Sequence, residues 1–112
     1  MNNIAVVTLC GSIKFMKEFK EVEATLTQEG LAVITPCFFE QNENIEMTEE
    51  NAQLFGMIHY KKIEIADEVF VIDVDGYIGE STRKEIEYAR KNNKSIRYYS
   101  IESARLKNLP IS

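Results

Sequence analysis

The fold is decided by residues 69–89, which read VFVIDVDGYIGESTRKEIEYA. The apolar run Val69–Val74 predicts a buried strand, and the residues from Thr82 to about Asn93 predict a helix after a glycine-containing loop. In an open α/β sheet, ligands bind just outside the carboxyl ends of the strands, where N–H groups at a helix start favour anions. We therefore expect this loop to carry the chemistry, with the Glu85 carboxylate ionised and available as a nucleophile or base.

Strands and helices alternate along the rest of the chain. The first helix ends at Gly30, the second begins at about Thr48, and the tail Ile101–Ser112 predicts a short helix. Further strands are predicted at Ile4–Leu9, Leu31–Thr35 and Ser95–Tyr99. This order is typical of a parallel sheet with right-handed crossovers. The predicted fold class is α/β, a flavodoxin- or Rossmann-like open parallel sheet of four or five strands flanked by helices, with strand order 2-1-3-4.

The second helix and the segment before it are less regular. The connection Cys37–Glu50 spans about 14 residues, which is long for a compact domain, so it is either a mobile lid or a binding loop. In the helix itself, one apolar face is marked by Leu54, Met57, Ile58 and Ile65.

Composition limits the class of protein. At 112 residues the chain is expected to form one domain, residues 1–112, and its net charge of −5 argues against binding nucleic-acid polymers or anionic membranes. No apolar run approaches the roughly 20 residues that span a bilayer, and no signal peptide is recognisable. Cys10 and Cys37 form no disulfide framework, which favours reduced thiols in a cytoplasmic protein. The single histidine, His59, has no zinc-type spacing around it, so a surface or structural role is expected and no metal site.

The two glycine-containing loops, Cys10–Lys14 and Gly76–Ser81, are expected to face each other across the crevice between strands 1 and 3. The first loop has no Walker A pattern. Its amides, the Ser12 hydroxyl and the Lys14 ammonium either cradle a phosphate or form an ordinary helix N-cap with a solvated lysine. In the second loop, Tyr77 either stacks on a base or packs against the protein.

Three carboxylates are candidates for the chemistry, and each has a structural alternative. Glu85 fits N3 of a capping box with Thr82 as the N-cap, and a carboxylate engaged there cannot attack a substrate. Asp67 is either a site residue or the turn residue that closes the second helix. Asp73, with Asp75 beside it, either points into the crevice or ends its strand. Glycosyl transfer uses paired carboxylates, one to attack the anomeric carbon and another to protonate the leaving group or orient the sugar.

Three segments together resemble the nucleoside 2-deoxyribosyltransferase superfamily, which includes the 2′-deoxynucleoside 5′-phosphate N-hydrolases. They are TLCGSIK at residues 8–14, Ala66-Asp67 before an apolar strand, and EIEYA at residues 85–89. The resemblance covers roughly residues 4–99. It implies a nucleoside 2-deoxyribosyltransferase-like domain that cleaves or transfers at the N-glycosidic bond of a nucleoside or its 5′-monophosphate. It also implies that no cofactor or metal is needed and that the protein is a homodimer or higher homo-oligomer.

The resemblance assigns roles residue by residue. It implies that Glu85 is the nucleophile and forms a covalent glycosyl-enzyme, and that Asp67 helps to position the sugar and the acid chemistry. Contacts to the base and the 5′-phosphate are implied for the loop residues Cys10, Gly11, Ser12, Ile13 and Lys14. Further phosphate contacts are implied for Gly79, Ser81 and Thr82.

The sequence also departs from the family pattern. Thr8 stands where the hydrolase branch carries a tyrosine, Glu87 replaces the glycine two residues after the nucleophile, and Gly79 falls where transferases place an aspartate. Asp73 or Asp75 is then a candidate for the missing acid. The phosphate cradle favours a hydrolase over a transferase. Two other functions stay open: a nucleotide-binding or sensing module without catalysis, and a small interaction domain whose glutamate only caps a helix.

Overall fold

Four parallel strands form the sheet of the computed structural model, which describes residues 3–38 and 46–107. The strands are β1 (Val6–Gly11), β2 (Ala32–Ile34), β3 (Glu68–Ile72) and β4 (Ser95–Tyr98). Their order is β2-β1-β3-β4, and each neighbouring pair is parallel. The helices are α1 (Met16–Gln28), α2 (Glu49–Ile65), α3 (Glu80–Lys91) and α4 (Tyr99–Lys107). The predicted α/β class, open parallel sheet and strand order are confirmed.

The alternation of side chains along the strands divides the core between two faces of the sheet. On β3, Phe70 and Ile72 pack with residues of α1 and α4, whereas Val69 and Val71 pack with residues of α2 and α3. Cys10 on β1 belongs to the α2 and α3 side. Both faces are therefore covered by helices, and the strand order reverses between β1 and β3, as in doubly wound folds.

The predicted helix boundaries at Gly30 and Thr48 are confirmed. Gly30 has a φ of +95°, and the Leu31 N–H donates to the Leu26 carbonyl at 3.1 Å, which closes the end of α1. The Thr48 hydroxyl accepts a hydrogen bond from the Asn51 N–H at 3.0 Å and so begins α2. These two boundaries follow from local chemistry that the sequence displays directly.

The start of α3 differs from the prediction. The chain is extended at Gly79 (φ −76°, ψ 171°), which is the N-cap, and it is helical from Glu80 onward. Thr82 is therefore the third helical residue and Glu85 the sixth. The capping-box alternative for Glu85 is therefore excluded, because a side chain at the sixth position lies beyond the first turn and cannot reach back to the cap.

The apolar face predicted for α2 points to solvent rather than to the sheet. Its residues are between 41% and 68% exposed, and they are Leu54, Met57, Ile58 and Ile65. Another side of the helix carries a less hydrophobic stripe with helical spacing, namely Ala52, Gly56, His59 and Ile63, of which Ala52 and Gly56 are exposed and His59 and Ile63 are buried. Only Ile63 of this stripe enters the apolar core, so the small and polar positions leave room beside the sheet.

Two predictions fall partly outside the described residues. Residues 39–45 of the predicted lid or binding loop lie outside them, as does the tail beyond Lys107. Within them, α4 confirms the short helix near the tail, and Leu106 is buried in the core. No helix in the two described ranges is long and apolar enough to cross a membrane.

Candidate active site

A cavity of about 400 Å³ opens where β1 and β3 end and α3 begins. Its volume falls within the roughly 300–1,000 Å³ of small-molecule sites. The two glycine-containing loops and the inward side of α2 form its walls. The predicted site residues that line it are Gly11, Ser12, Ile13, Tyr77, Gly79, Ser81, Thr82 and Glu85. Glu80 also lines the cavity, as do Pro36, Met47, Phe55 and His59, which the sequence did not single out for the site.

Gly11 allows β1 to run against β3 up to the rim of this cavity. Its φ is +154°, and a Cβ there would lie 3.0 Å from both Cβ and the carbonyl oxygen of Ile72 and 3.2 Å from the ring of Phe19. Only glycine fits this approach and this backbone conformation without strain. The next residue, Ser12, accepts a hydrogen bond from the Lys14 N–H at 3.3 Å and caps the short 3₁₀ turn Ile13–Phe15, whereas the N-cap of α1 itself is Phe15.

Glu85 is a largely buried carboxylate in the wall of the cavity. Its side chain is 14% exposed, and Oε1 lies 3.6 Å from Nε2 of His59. Burial raises the pKa of Glu85 from 4.5 to about 7, against the opposite effect of hydrogen bonds from Cys10 and Ser81. The expectation that the helix start keeps this group ionised is wrong, because the helix dipole acts mainly within the first turn and desolvation dominates here. Near neutral pH the group exchanges readily between acid and carboxylate.

His59 is the titratable residue of the cavity wall that the sequence did not assign to the site. It is 7% exposed on the inward side of α2, and Nε2 lies 3.3 Å from Sγ of Cys10. Burial, assisted by the charge of Lys62, lowers the pKa of His59 from 6.5 to about 4, so the ring is neutral at pH 7. The Nδ1 atom is buried without a hydrogen-bond partner among residues 3–38 and 46–107. The signal available in the sequence was that His59 has helical spacing from the small residues Ala52 and Gly56.

Cys10 lies behind Glu85 and does not line the cavity, so its predicted contact with substrate is wrong. The side chain is fully buried because β1 directs it into the core beneath α2 and α3. Burial and the nearby Glu85 carboxylate raise the pKa of its thiol. One ligand atom each from Cys10, His59 and Glu85 lies within 4.8 Å of the other two. The three come from β1, α2 and α3, which is why spacing in the sequence did not reveal the cluster.

Lys14 is held at the rim of the cavity rather than inside it. Its ammonium lies 3.4 Å from the ring centroid of Tyr77, and that ring also meets Phe15 edge-on at 5.8 Å. No Lys or Arg lines the cavity within the part of the chain that the structure describes. An anion bound there would instead meet the first N–H groups of α3, because the N-cap residue Gly79 offers no side chain to occupy them.

Asp67 lies at the opposite edge of the sheet, so its predicted catalytic role is wrong. It directly precedes β3, and its N–H donates to the Val6 carbonyl at 2.8 Å. Its Oδ2 accepts a hydrogen bond from the Val6 N–H at 2.7 Å. A residue before a parallel strand lies at the amino-terminal edge, whereas the cavity is at the carboxyl-terminal edge. Asp67 therefore joins β1 to β3 and does not reach the cavity.

Asp73 follows β3, yet it too is outside the cavity, and its predicted acid role is wrong. Its carboxylate accepts hydrogen bonds from the Ser100 N–H at 2.8 Å and the Ser100 hydroxyl at 2.7 Å. The residue is only 4% exposed. The first turn of α4, which begins directly after the neighbouring strand, supplies donors that this carboxylate satisfies. Asp73 therefore has a structural role at the start of α4.

Comparison with known proteins agrees with this fold. No protein-family model matches the sequence, and no curated protein matches it. A 2-deoxyribosyltransferase from the psychrotolerant bacterium Bacillus psychrosaccharolyticus matches the structure with a TM-score of 0.66 and 20% identity, over 84% of this chain and 71% of that chain. BcmB, a CMP N-glycosidase of Clostridium botulinum, matches with a TM-score of 0.54 and 20% identity, over 91% of this chain and 80% of that chain. At 20% identity, these two likenesses show that the chain shares the fold of both proteins.

Proposed function

We propose that this protein cleaves or transfers at the N-glycosidic bond of a nucleoside or nucleoside 5′-monophosphate, with Glu85 as the nucleophile. The observation that carries the proposal is a buried carboxylate in the wall of a cavity of suitable size, at the edge of the sheet where α/β folds bind ligands. The fold supports it, since a deoxyribosyltransferase and a CMP N-glycosidase are among the solved structures that it resembles.

In the proposed reaction, the ionised Glu85 attacks C1′ of the sugar. The C1′–oxygen bond forms while the C1′–nitrogen bond breaks, and the base leaves with the bonding electron pair. Water or a second base then attacks C1′ from the opposite face, and the carboxylate leaves. Two displacements at one carbon give retention of configuration. The neutral ring of His59, with Nε2 3.6 Å from the carboxylate, is the neighbouring polar group that packs beside that oxygen.

The departing base takes its proton from solvent in this proposal, because Asp67 and Asp73 do not reach the cavity. Glu80 is the other carboxylate in the described lining, but its side chain is 66% exposed and paired with Arg83. That pairing lowers the pKa of Glu80, which makes it a poor acid at neutral pH. Bases that depart readily without protein assistance are therefore the preferred substrates.

A 5′-phosphate would be held by the amino-terminal end of α3 and by hydroxyl groups rather than by a cationic side chain. Gly79 exposes the first N–H groups of the helix, and Ser12, Ser81 and Thr82 line the same cavity. This arrangement supports a monophosphate substrate and hydrolysis over transfer.

The test is release of free base from a panel of ribo- and deoxynucleosides and their 5′-monophosphates. Release of base from at least one substrate by the wild type, and its loss in Glu85→Gln, supports the proposal. Glu87→Gln, on the outer side of the same helix, is the control and should remain active. Saturable nucleotide binding with no base released from any member of the panel would instead identify a sensing module. The preferred substrate decides whether phosphate is required.

The superfamily resemblance also leads us to propose a homo-oligomer. The exposed apolar residues Leu54, Met57, Ile58 and Ile65 on α2 supply a surface that a second copy could cover. Molar mass in solution, measured by light scattering, tests this directly: a monomer at micromolar concentration contradicts it.

A further inference from the structure

We propose that Cys10, His59 and Glu85 form a binding site for a divalent transition-metal cation of the Zn²⁺ class, and that the bound cation switches the active site off. The binding rests on the geometry of the three side chains alone. The inhibition rests in addition on the proposed function, because it requires Glu85 to be the nucleophile.

Two of the three separations between donor atoms match those around a tetrahedral zinc ion, and the third is within 4.8 Å. The Cys10 Sγ lies 3.3 Å from the His59 Nε2, which lies 3.6 Å from the Glu85 Oε1, and all three donors are within 4.8 Å of one another. With Zn–S, Zn–N and Zn–O bonds of about 2.0–2.3 Å at tetrahedral angles, neighbouring ligand atoms are about 3.3–3.7 Å apart. Small side-chain rotations therefore suffice to enclose an ion.

The chemistry of the donors selects the kind of cation. A sulfur, an imidazole nitrogen and a carboxylate oxygen suit Zn²⁺ and its neighbours, whereas Mg²⁺ and Ca²⁺ require oxygen ligands. Three protein ligands leave a fourth position free, and here it faces the cavity because His59 and Glu85 line it. A cation can enter from the cavity and keep a water molecule as its fourth ligand.

The surroundings of His59 favour reversible binding. A metal on Nε2 leaves the hydrogen on Nδ1, and that atom has no partner within residues 3–38 and 46–107. Ligating histidines usually donate this hydrogen to a second group, and loss of that group lowers metal affinity by about 10–100-fold. The site therefore resembles an inhibitory site rather than a structural zinc centre.

Binding changes protonation and blocks the nucleophile without any change in oxidation state. The Cys10 thiol, and Glu85 where it is protonated, release their protons to solvent and bind as a thiolate and a carboxylate. The lone pair of the Glu85 carboxylate oxygen is then shared with the cation and is unavailable to C1′. Removal of the cation by a chelator restores the free carboxylate.

Co²⁺ titration of the intact protein tests the binding. We expect one equivalent to give an intense thiolate-to-cobalt charge-transfer band and the visible bands of a tetrahedral ion. Cys10→Ser should abolish the charge-transfer band, whereas Cys37→Ser, which removes the other cysteine near the cavity, should keep it. His59→Gln provides an independent second variant and should weaken binding by at least about 100-fold, since it removes a direct ligand. No band in the wild type, or a band retained by Cys10→Ser, overturns the site.

The inhibition has a separate test. With a substrate from the panel, one equivalent of Zn²⁺ should abolish base release and excess chelator should restore it. Unchanged release by zinc-loaded protein overturns the inhibitory role while leaving the binding result intact. If no substrate is cleaved, the cobalt spectrum still decides whether the site exists, so the two proposals fail independently.

Discussion

Replacing Glu85 by glutamine should stabilise the folded protein at alkaline pH and have little effect at acidic pH. Burial raises the pKa of this carboxyl from 4.5 to about 7, so the folded state resists its ionisation. Below pH 4.5 the group is protonated in both states and contributes no penalty. Above pH 7 it is ionised in both, and the folded state carries the full penalty. The difference of about 2.5 pH units corresponds to about 3 kcal/mol, at 1.36 kcal/mol per unit.

Urea unfolding of the wild type and Glu85→Gln from pH 4.5 to pH 8, with a chelator present, measures this difference. The variant should gain about 3 kcal/mol over the wild type across that range. His59, whose pKa is lowered to about 4, destabilises both proteins as the pH falls below 6.5, so its effect largely cancels in the comparison. Glu87→Gln removes an exposed carboxylate and should shift stability by about 0.5 kcal/mol or less at every pH. A constant difference for Glu85→Gln, or a less stable variant at pH 8, refutes the burial argument.

The remaining predictions concern the pH dependence of activity, the rim of the cavity, and the two aspartates, Asp67 and Asp73, that lie outside the cavity. The kcat/KM for base release should rise with pH to a plateau through an apparent pKa of about 7, that of Glu85; a limb near pH 4.5 would show a solvated carboxylate in the working enzyme. Gly11→Ala should lower the free energy of unfolding by about 1–3 kcal/mol, because its Cβ would press on β3. Gly56→Ala, whose Cβ meets no atom within 4 Å, should raise it by about 0.5–1 kcal/mol, and equal effects of the two would contradict the packing. Asp67→Asn and Asp73→Asn should each cost about 1–3 kcal/mol of stability yet keep kcat/KM of the folded enzyme within about twofold; a loss above tenfold would return them to the site.

The sequence alone predicted the elements whose causes are local. β-branched and aromatic runs identify the strands, and Gly30 and Thr48 end and begin helices through their own backbone and side-chain chemistry. The alternation of strands and helices permits only a few sheet topologies, because crossovers between parallel strands are right-handed. The parallel strand order, with its switch point beside β1, could therefore be predicted as well. Because ligands bind at that switch point, the lining role of the two loops could be predicted without coordinates.

Predictions from the sequence failed where two local patterns compete, or where contacts distant in sequence determine the role or the pKa of a residue. Thr82 and Glu85 have the spacing of a capping box. The N-cap of α3 is instead Gly79, three residues before Thr82, and this places Glu85 in the cavity wall. Asp73 lies at the end of its strand where ligands bind. However, its carboxylate accepts hydrogen bonds from the N–H and the hydroxyl of Ser100 on α4, which is distant in sequence. The raised pKa of Glu85 depends on burial by three elements, and no short segment of the chain reveals it.

The inward side of α2 shows the same limit. Hydrophobicity selected Leu54 and Met57, which are exposed, because a core-facing helix is usually its most apolar on the buried side. A helix that borders a cavity reverses this rule. The position of His59 on the small and polar stripe was the signal available, and reading that stripe as a cavity wall would have placed His59 beside Glu85.

Base release by Glu85→Gln shows whether this carboxylate is the group that attacks the sugar. With the preferred substrate at saturation and a chelator present, the variant should be at least about 1,000-fold slower than the wild type, because the amide cannot form the glycosyl-enzyme. Nucleotide affinity should change little, since glutamine keeps the shape of the side chain. A Glu85→Gln rate within tenfold of the wild type would contradict the account, because another group would then have to attack the sugar.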